Sequence, residues 1–452
     1  MKYFGTDGIR GIANELLTSE FVYKIAKAGA NVLTRHVENG RKPRVIIGRD
    51  TRISGSLIES AMIAGFLSSG ADVYTVGVIP TPGIAYLTKK NNLDMGVVIS
   101  ASHNSYEYNG IKYFSNKGTK ISDKIEEEIE KVIDDDENLK VHMDNDKIGV
   151  SEHKEDLRNE YTNFIVNIFK EDIRKYNNDE FVVGIDTANG ATYNVAEEVF
   201  RGLGIKYKII HNNPDGININ KDCGSTHVES LKKFVVENKL SMGIAYDGDG
   251  DRCITVDENG EEINGDTILA IISDYLKKNN KLEKNRLIAT VMSNLGLKKY
   301  AEKNGIEFIQ TKVGDRYVLE EMLKNGGNFG GEQSGHIILS DINLTGDGIV
   351  TSLMVIKILL EAKRRFSELC KIITIYPQIL INVRVKEFDM DKYPEISEII
   401  KKTEDELAGE GRVLIRKSGT EPLIRVMLEG KDEEYIKLAA EKIANVIKEK
   451  MG

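Results

Sequence analysis

Three aspartates alternate with glycine in Asp247-Gly248-Asp249-Gly250-Asp251-Arg252, directly after the apolar run Met242 to Tyr246. Carboxylates this close repel one another unless a cation or basic groups neutralise them. Their hard oxygens suit Mg²⁺ or Ca²⁺. An EF-hand calcium loop matches in part, since Glu258 falls on its twelfth position when Asp247 is the first. Its sixth position must be glycine for the sharp turn, however, and here it is Arg252. Both flanks also read as strands, so a Mg²⁺ site is the favoured reading.

A second loop offers a nucleophile. The apolar run Val97-Val98-Ile99 leads into Ser100-Ala101-Ser102-His103-Asn104, a hydroxyl, an imidazole and an amide in succession. Serine is a weak nucleophile at its own pKa, so Ser102 needs a base, a metal or a pre-attached group. Taken alone, the segment reads equally as a Ser/Asn turn. Further on, Arg416 to Pro422, with Arg425 beyond, sets cations beside Ser418, Gly419 and Thr420. That composition suits a phosphate clamp or a charged surface hairpin. Glu332 and Ser334, in a glycine-flanked loop, could grip sugar hydroxyl or amino groups or form a strained turn. His336 could donate to a substrate or satisfy a carbonyl. Near the start, Phe4 to Gly11 places three glycines around Arg10. Backbone this permissive either lets Arg10 approach a phosphate closely or makes a simple turn.

The elements that must position these loops follow a strand–loop–helix rhythm. A helix from Ser19 to about His36 precedes the strand Arg44 to Ile47, a helix from Leu57 to Ser69 and the strand Asp72 to Val76, with parallel pairing expected. Ser102 then falls at the carboxyl end of a strand, where α/β sheets bind ligands. The charged tract from about Lys120 to Asp156 reads as a solvated helix face or connector and as the first domain boundary. Strands at Phe181 to Ile185, Met242 to Tyr246 and Leu287 to Val291 repeat the rhythm. From about Ile372 a small α+β pattern replaces it: strands Leu380 to Val385, Arg412 to Ile415 and Leu423 to Leu428, with helices Ile396 to Leu407 and Glu433 to Lys448.

The 452 residues suggest several domains. Their 40% hydrophobic and 29% charged content is that of a folded globular chain. The net charge of -9 argues against nucleic-acid binding. An anionic ligand therefore needs positive charge concentrated locally. Arg10, Arg49, Arg52, Lys112, Arg252, Lys312, Arg316, Arg416 and Arg425 sit in or near these loops and can supply it. No apolar run reaches membrane-helix length, no signal peptide is evident, and the three cysteines have no metal or redox spacing. These features point to the cytoplasm, with no membrane partner.

Along essentially its whole length the chain resembles the α-D-phosphohexomutase superfamily. Four signatures appear in order: the serine loop Ser102-His103-Asn104, the metal loop Asp247 to Arg252, the sugar loop Gly331 to His336 and the phosphate loop Ser418 to Pro422. The resemblance implies three related mixed α/β-sheet domains plus a smaller C-terminal α+β domain around a central active-site cleft. The expected divisions are 1–155, 156–256, 257–370 and 371–452. The segments Tyr3 to Gly11, Ile99 to Asn104, Lys312 to Val318 and Arg416 to Met427 resemble most the bacterial branch that interconverts glucosamine 6-phosphate and glucosamine 1-phosphate, toward UDP-N-acetylglucosamine. A phosphomannomutase or phosphoglucomutase of the same superfamily is the alternative. One departure is Ser105, where the family usually has proline. Loss of that fixed φ should loosen the loop modestly.

For the site, the resemblance implies that Ser102 works as a phosphoserine and that Asp247, Asp249 and Asp251 join it in holding one Mg²⁺ per subunit. Glucosamine 1,6-bisphosphate is the implied intermediate. Arg10 and Arg252 would neutralise phosphate charge, and Lys112 or His103 would move the proton, Lys112 with a depressed pKa. Glu332, Ser334 and His336 would hold the sugar. Arg416, Ser418, Gly419, Thr420 and Arg425 would hold the phosphate not being transferred. The partner is a small phosphosugar, and the sequence is compatible with a monomer or a homodimer.

Overall fold

Short apolar runs that end at glycine or polar residues fold as strands, and in the computed structural model they form four separate sheets among the described residues. The structure describes all residues except 6, 38–39, 140–142, 387–388 and 418–422, and, within helices, the side chains of 136, 138 and 391. The chain clusters into two units: residues 1–292 with 307–372, and residues 293–306 with 373–452.

In the larger unit, the first sheet contains β1 (Phe4–Gly5), β2 (Gly8–Ile12), β3 (Arg44–Arg49), β4 (Asp72–Val78), β5 (Met95–Ile99), β6 (Tyr108–Ser115) and β7 (Ser151–His153). Their order is β1-β2-β6-β5-β3-β4-β7. β3 runs parallel to β4 and β5, as helical crossovers require, but β6 returns antiparallel to β5 and β2 antiparallel to β6. The register decides what meets. Arg49 pairs with Ile99, which sets the loop after β3 beside the Ser102 loop. Lys112 pairs with Val98 and Arg10 with Gly110, which brings both cations to the same end of the sheet.

The charged tract, read from sequence as a solvated helix face or connector, folds in part as a helix built into this layer. The helix Asp123–Ile133 packs on the helix Ser19–Leu33. Its Glu130 carboxylate accepts the backbone N–H groups of Lys2, Tyr3 and Phe4 at 2.6–2.8 Å. Glu126 is buried, and β7 extends the sheet by pairing parallel to β4.

The second sheet has β8 (Val182–Asp186), β9 (Lys206–Ile210), β10 (Met242–Tyr246), β11 (Cys253–Asp257) and β12 (Glu262–Ile263), in the order β12-β11-β10-β8-β9. β8 is parallel to β9 and β10, whereas β10 and β11 form an antiparallel hairpin closed by the Tyr246–Cys253 pair. The aspartate loop is therefore a hairpin loop between strands, which excludes the EF-hand arrangement of flanking helices. The third sheet contains β13 (Arg286–Thr290), β14 (Glu307–Thr311), β15 (Phe329–Gly331) and β16 (Ile337–Leu339), ordered β14-β13-β15-β16. The turn 332–336 links β15 to β16. The long apolar run folds as the buried helix Gly348–Ala362, whose N-terminus is capped by Asp347 accepting from Val350 N–H. No helix among the described residues is long and apolar enough to cross a membrane.

The smaller unit holds β17 (Gln378–Arg384), β18 (Gly411–Lys417) and β19 (Leu423–Gly430), all antiparallel with β19 central. Val426, Leu428, Ile436, Ile443 and Ile447 share its core, which joins the sheet to the helix Glu433–Met451.

Candidate active site

The hairpin after β10 converges three buried carboxylates. One oxygen from each of Asp247, Asp249 and Asp251 lies within 4.8 Å of the others. Asp247 accepts from the Ser102 hydroxyl at 2.6 Å and from Arg252 N–H at 3.1 Å. Asp249 accepts from the Thr81 hydroxyl at 2.6 Å and from Lys112 at 2.8 Å. Oδ1 of Asp249 and Oδ1 of Asp251 are buried without a hydrogen-bond partner among the described residues. Burial and then the neighbouring Asp251 and Asp249 push the Asp247 carboxyl well above the usual range. Crowded oxygens, two of them unpartnered, with a carboxyl forced toward neutrality, fit a hard divalent cation.

Ser102 is held from behind. Its φ of +52° is left-handed, an unfavourable conformation for a non-glycine residue unless its surroundings fix it. They do. Arg52 donates to the carbonyls of Ser102 (3.0 Å), Asn104 (2.8 Å) and Tyr108 (3.0 Å), and also to that of Ser105. Asn220 donates to the Ser102 and Asn104 carbonyls at 2.8 and 2.9 Å. Ser102 N–H donates to the Ser100 hydroxyl, which donates to Asp50, and Asp50 pairs with Arg52 Nε at 2.8 Å.

Lys112 belongs to a closed circuit of charged and polar side chains. Lys112 Nζ is 2.8 Å from both Asp249 Oδ2 and Asp7 Oδ2. Asp7 then meets Lys120 at 2.6 Å, and Lys120 meets Asp315 at 2.7 Å. His336 lies 3.3 Å from Asp315 and 3.5 Å from Asp251, and Asp251 lies 4.0 Å from Lys112, which completes the circuit. Burial opposes charge on Lys112, but Asp249, Asp7 and Asp251 outweigh it and raise its pKa. Burial likewise opposes charge on Asp7, and Lys112, Lys120 and Arg10 hold that carboxyl well below its ordinary range. His103 behaves oppositely. Burial, Arg252 and Arg10 push its pKa down to about 4, which leaves a neutral ring 3.3 Å from the Ser102 hydroxyl.

The turn 332–336 reaches this assembly through backbone pairing: Arg252 bridges to His336, and Cys253 N–H donates to the Gly335 carbonyl at 3.0 Å. The Arg252 guanidinium is mostly buried, with Nε lacking a hydrogen-bond partner among the described residues, so it remains available to an anion.

Four family models describe the chain as phosphoglucomutase/phosphomannomutase: α/β/α domain I over residues 1–140, domain II over 159–260, domain III over 264–376 and the C-terminal domain over 380–446. Curated phosphoglucosamine mutases match end to end. That of Acetivibrio thermocellus is 50% identical over 455 residues, covering 100% of both chains, and that of Clostridioides difficile is 49% identical over 454 residues with the same coverage. The chain belongs to the phosphoglucosamine mutase family. Among solved structures, a phosphoglucomutase/phosphomannomutase family protein from Burkholderia thailandensis shares the fold with a TM-score of 0.79 at 21% identity, covering 98% of this chain and 97% of its own. An N-acetylphosphoglucosamine mutase from Aspergillus fumigatus, in complex with GlcNAc-6P and magnesium, has a TM-score of 0.65 at 16% identity, covering 99% of this chain and 95% of its own.

Within this phosphoglucosamine mutase family member, Ser102, His103, Lys112, Arg10, Arg252 and the three aspartates do converge. Other expectations change. Arg52 is fully buried and structural, and Arg49 pairs with Glu59 at 3.1 Å, so neither is positioned as a free phosphate ligand. Arg316 is taken up by Asp123, Glu126 and the Ile121 carbonyl. Lys112 lies among carboxylates, which raise its pKa, rather than among arginines. The Ser105 carbonyl, in the loop expected to be loosened, is held by Arg52. Glu332 accepts Gly314 N–H at 3.0 Å, and burial followed by Asp315 raises its pKa. Ser334 is half-buried in the same turn. His336 is buried between Asp315 and Asp251, and its Nε2 also accepts Gly346 N–H, so both ring nitrogens face protein groups.

In the smaller unit Arg416 and Arg425 pair across β18 and β19, and each Nε is buried without a hydrogen-bond partner among the described residues. Ser418, Gly419 and Thr420 lie outside the described residues. Asp7, Lys120, Asp315, Asn220 and Thr81 were not singled out as site residues from sequence. Asp7 and Asp315 did lie in segments singled out there, Phe4 to Gly11 and Lys312 to Val318.

Proposed function

We propose that the protein interconverts glucosamine 6-phosphate and glucosamine 1-phosphate by passing a phosphoryl group through Ser102. The observation that carries this reading is the 2.6 Å contact of the Ser102 hydroxyl with Asp247, inside a cluster of three carboxylates and beside His103. The substrate is supported by the curated relatives at about 50% identity. Phosphoryl transfer needs alignment and charge neutralisation more than covalent machinery, and this site supplies both.

In the forward step the bond between phosphorus and Ser102 Oγ breaks, a bond to a sugar hydroxyl oxygen forms, and the hydroxyl proton passes to a basic group. Glucosamine 1,6-bisphosphate results, and the reverse transfer from its other end regenerates phosphoserine 102. Asp247, Asp249, Asp251 and Ser102 are the residues that would hold Mg²⁺, which when bound withdraws charge from the phosphoryl oxygens. His103, held neutral, can accept a proton, while Lys112, held as an ammonium, can donate one. Arg252 and Arg10 are assigned to neutralising the phosphate charge. Glu332 and Ser334 are assigned to the sugar hydroxyls, and Arg416, Ser418, Gly419, Thr420 and Arg425 to the second phosphate. The four matched family segments support a four-domain division near 155, 256 and 370. We place the activity in the cytoplasm.

A coupled assay comparing glucosamine, mannose and glucose 6-phosphates tests the substrate, and faster turnover of either hexose phosphate would overturn it. Mass spectrometry should find phosphate on Ser102. Ser102→Ala should abolish turnover while phosphosugar binding persists, and full activity in that variant would refute the carrier role.

A further inference from the structure

A second group of metal-binding side chains lies outside the aspartate loop. β8 and β9 are parallel neighbours with Asp186 paired to Ile210, so the last residue of β8 stands beside His211, the first residue after β9. Gly224 N–H donates to Asp186 Oδ2 at 2.9 Å, and this fold-back brings Cys223 to the same point. One ligand atom each from Asp186, His211 and Cys223 lie within 4.8 Å of one another.

The chemistry of this set differs from that of the aspartate loop. Sulfur, imidazole nitrogen and one carboxylate select a borderline transition ion such as Zn²⁺, whereas three carboxylates select a hard one. His211 Nδ1 lies 3.0 Å from Asp186 Oδ2, close to the roughly 3.3 Å edge of a tetrahedron built on bonds of about 2.0 Å. That nitrogen is buried yet makes no well-formed hydrogen bond among the described residues. Asp186 is fully buried and held by Ala188 N–H at 2.8 Å as well as by Gly224, the kind of outer support that orients metal ligands. The His211 carbonyl is fixed by Thr187 Oγ1 at 2.6 Å and Asn189 N–H at 2.7 Å. The His211 side chain is 29% exposed, which gives an ion a route in and leaves room for water as a fourth ligand.

We infer that Asp186, His211 and Cys223 form a second, structural site for a transition-metal cation of the Zn²⁺ class, separate from the Mg²⁺ site. Its effect follows from the chain path. Three residues before Cys223, Asn220 donates to the Ser102 and Asn104 carbonyls, so an ion here fastens the segment that supports the serine loop.

Co²⁺ titration of the full-length protein tests this. The expected result is one thiolate-ligated Co²⁺ per chain, read from its thiolate-to-cobalt charge-transfer band, displaced by Zn²⁺ and retained in Asp249→Asn. Cys223→Ser should abolish the band, and His211→Ala should weaken Co²⁺ binding at least tenfold. Circular dichroism confirms that each variant is folded, and His211→Gln serves as the second variant if His211→Ala is not. No charge-transfer band in the wild-type protein would overturn the inference, as would a band that persists in Cys223→Ser. The latter would assign the sulfur to Cys253 or Cys370.

Discussion

The guanidinium of Arg52 donates to the carbonyl of Ser102 at 3.0 Å while its Nε is paired to Asp50 at 2.8 Å, and both charged side chains are completely buried. Four carbonyls of the serine loop depend on this one planar fork. Lysine keeps the charge but cannot span them. Arg52→Lys should fold, keep KM near the wild-type value and lose roughly 10²-fold in kcat, the scale of a misplaced reacting group. Steady-state kinetics with a thermal melt as folding control check this, and wild-type kcat in a folded variant would refute the clamp.

The unpartnered oxygens of Asp249 and Asp251 carry a second prediction. Chelation should abolish turnover, and added Mg²⁺ should restore it. Asp249→Asn removes a charge from the cluster while retaining an oxygen for Thr81 or Lys112. Its kcat should fall by at least about 10²-fold and its Mg²⁺ requirement should rise. A Mg²⁺ titration of activity measures both, and unchanged rates at limiting Mg²⁺ would exclude Asp249 as a ligand.

Much of this site was legible in the sequence, for identifiable reasons. Alternating aspartates after an apolar strand imply a cation because their repulsion is local, and Ser102 follows β5 as an apolar run predicts. Arg52 counted in the sequence only as local positive charge, because a loop arginine looks the same in sequence whether it faces solvent or a ring of carbonyls. The direction of the Lys112 shift depends on Asp7 and Asp249, which lie far from it in sequence and meet it only in the fold. β7 was hidden because Ser151, Glu152 and His153 are all exposed, so this edge strand carries no apolar alternation. The ring through Lys120, Asp315 and His336 joins separate loops, and no local pattern announces it.

Asp347 makes stability depend on pH. Burial pushes its carboxyl up to about 6, while it accepts from Tyr161 OH at 2.9 Å and caps the helix Gly348–Ala362. The folded state therefore keeps a proton that the unfolded state has lost, and this contribution to stability falls as pH rises from about 4 to about 6. The difference is on the order of 3 kcal/mol. Asp347→Asn keeps an oxygen for the cap but cannot ionise. Urea unfolding should show the variant gaining relative to wild type between pH 4.5 and pH 7. A relative stability constant across that range would contradict the prediction.

Gly248 separates strain in the site from strain in the fold. A Cβ there would lie 2.4 Å from the Ser102 carbonyl and 2.7 Å from Asn220 Nδ2, so the aspartate loop approaches the serine loop through the missing side chain. That carbonyl is fixed by Arg52 and Asn220 and cannot retreat without moving Ser102. Gly248→Ala should cost about 1–3 kcal/mol by overpacking and lower kcat by roughly 10²-fold. Gly204 provides the comparison. It caps the helix Thr192–Leu203 at φ +74°, with nothing within 4 Å of the added methyl. Gly204→Ala should lose about 1 kcal/mol from backbone conformation alone and leave kcat unchanged. If both variants lost stability but neither lost activity, the close approach of Gly248 to Ser102 would have no part in catalysis.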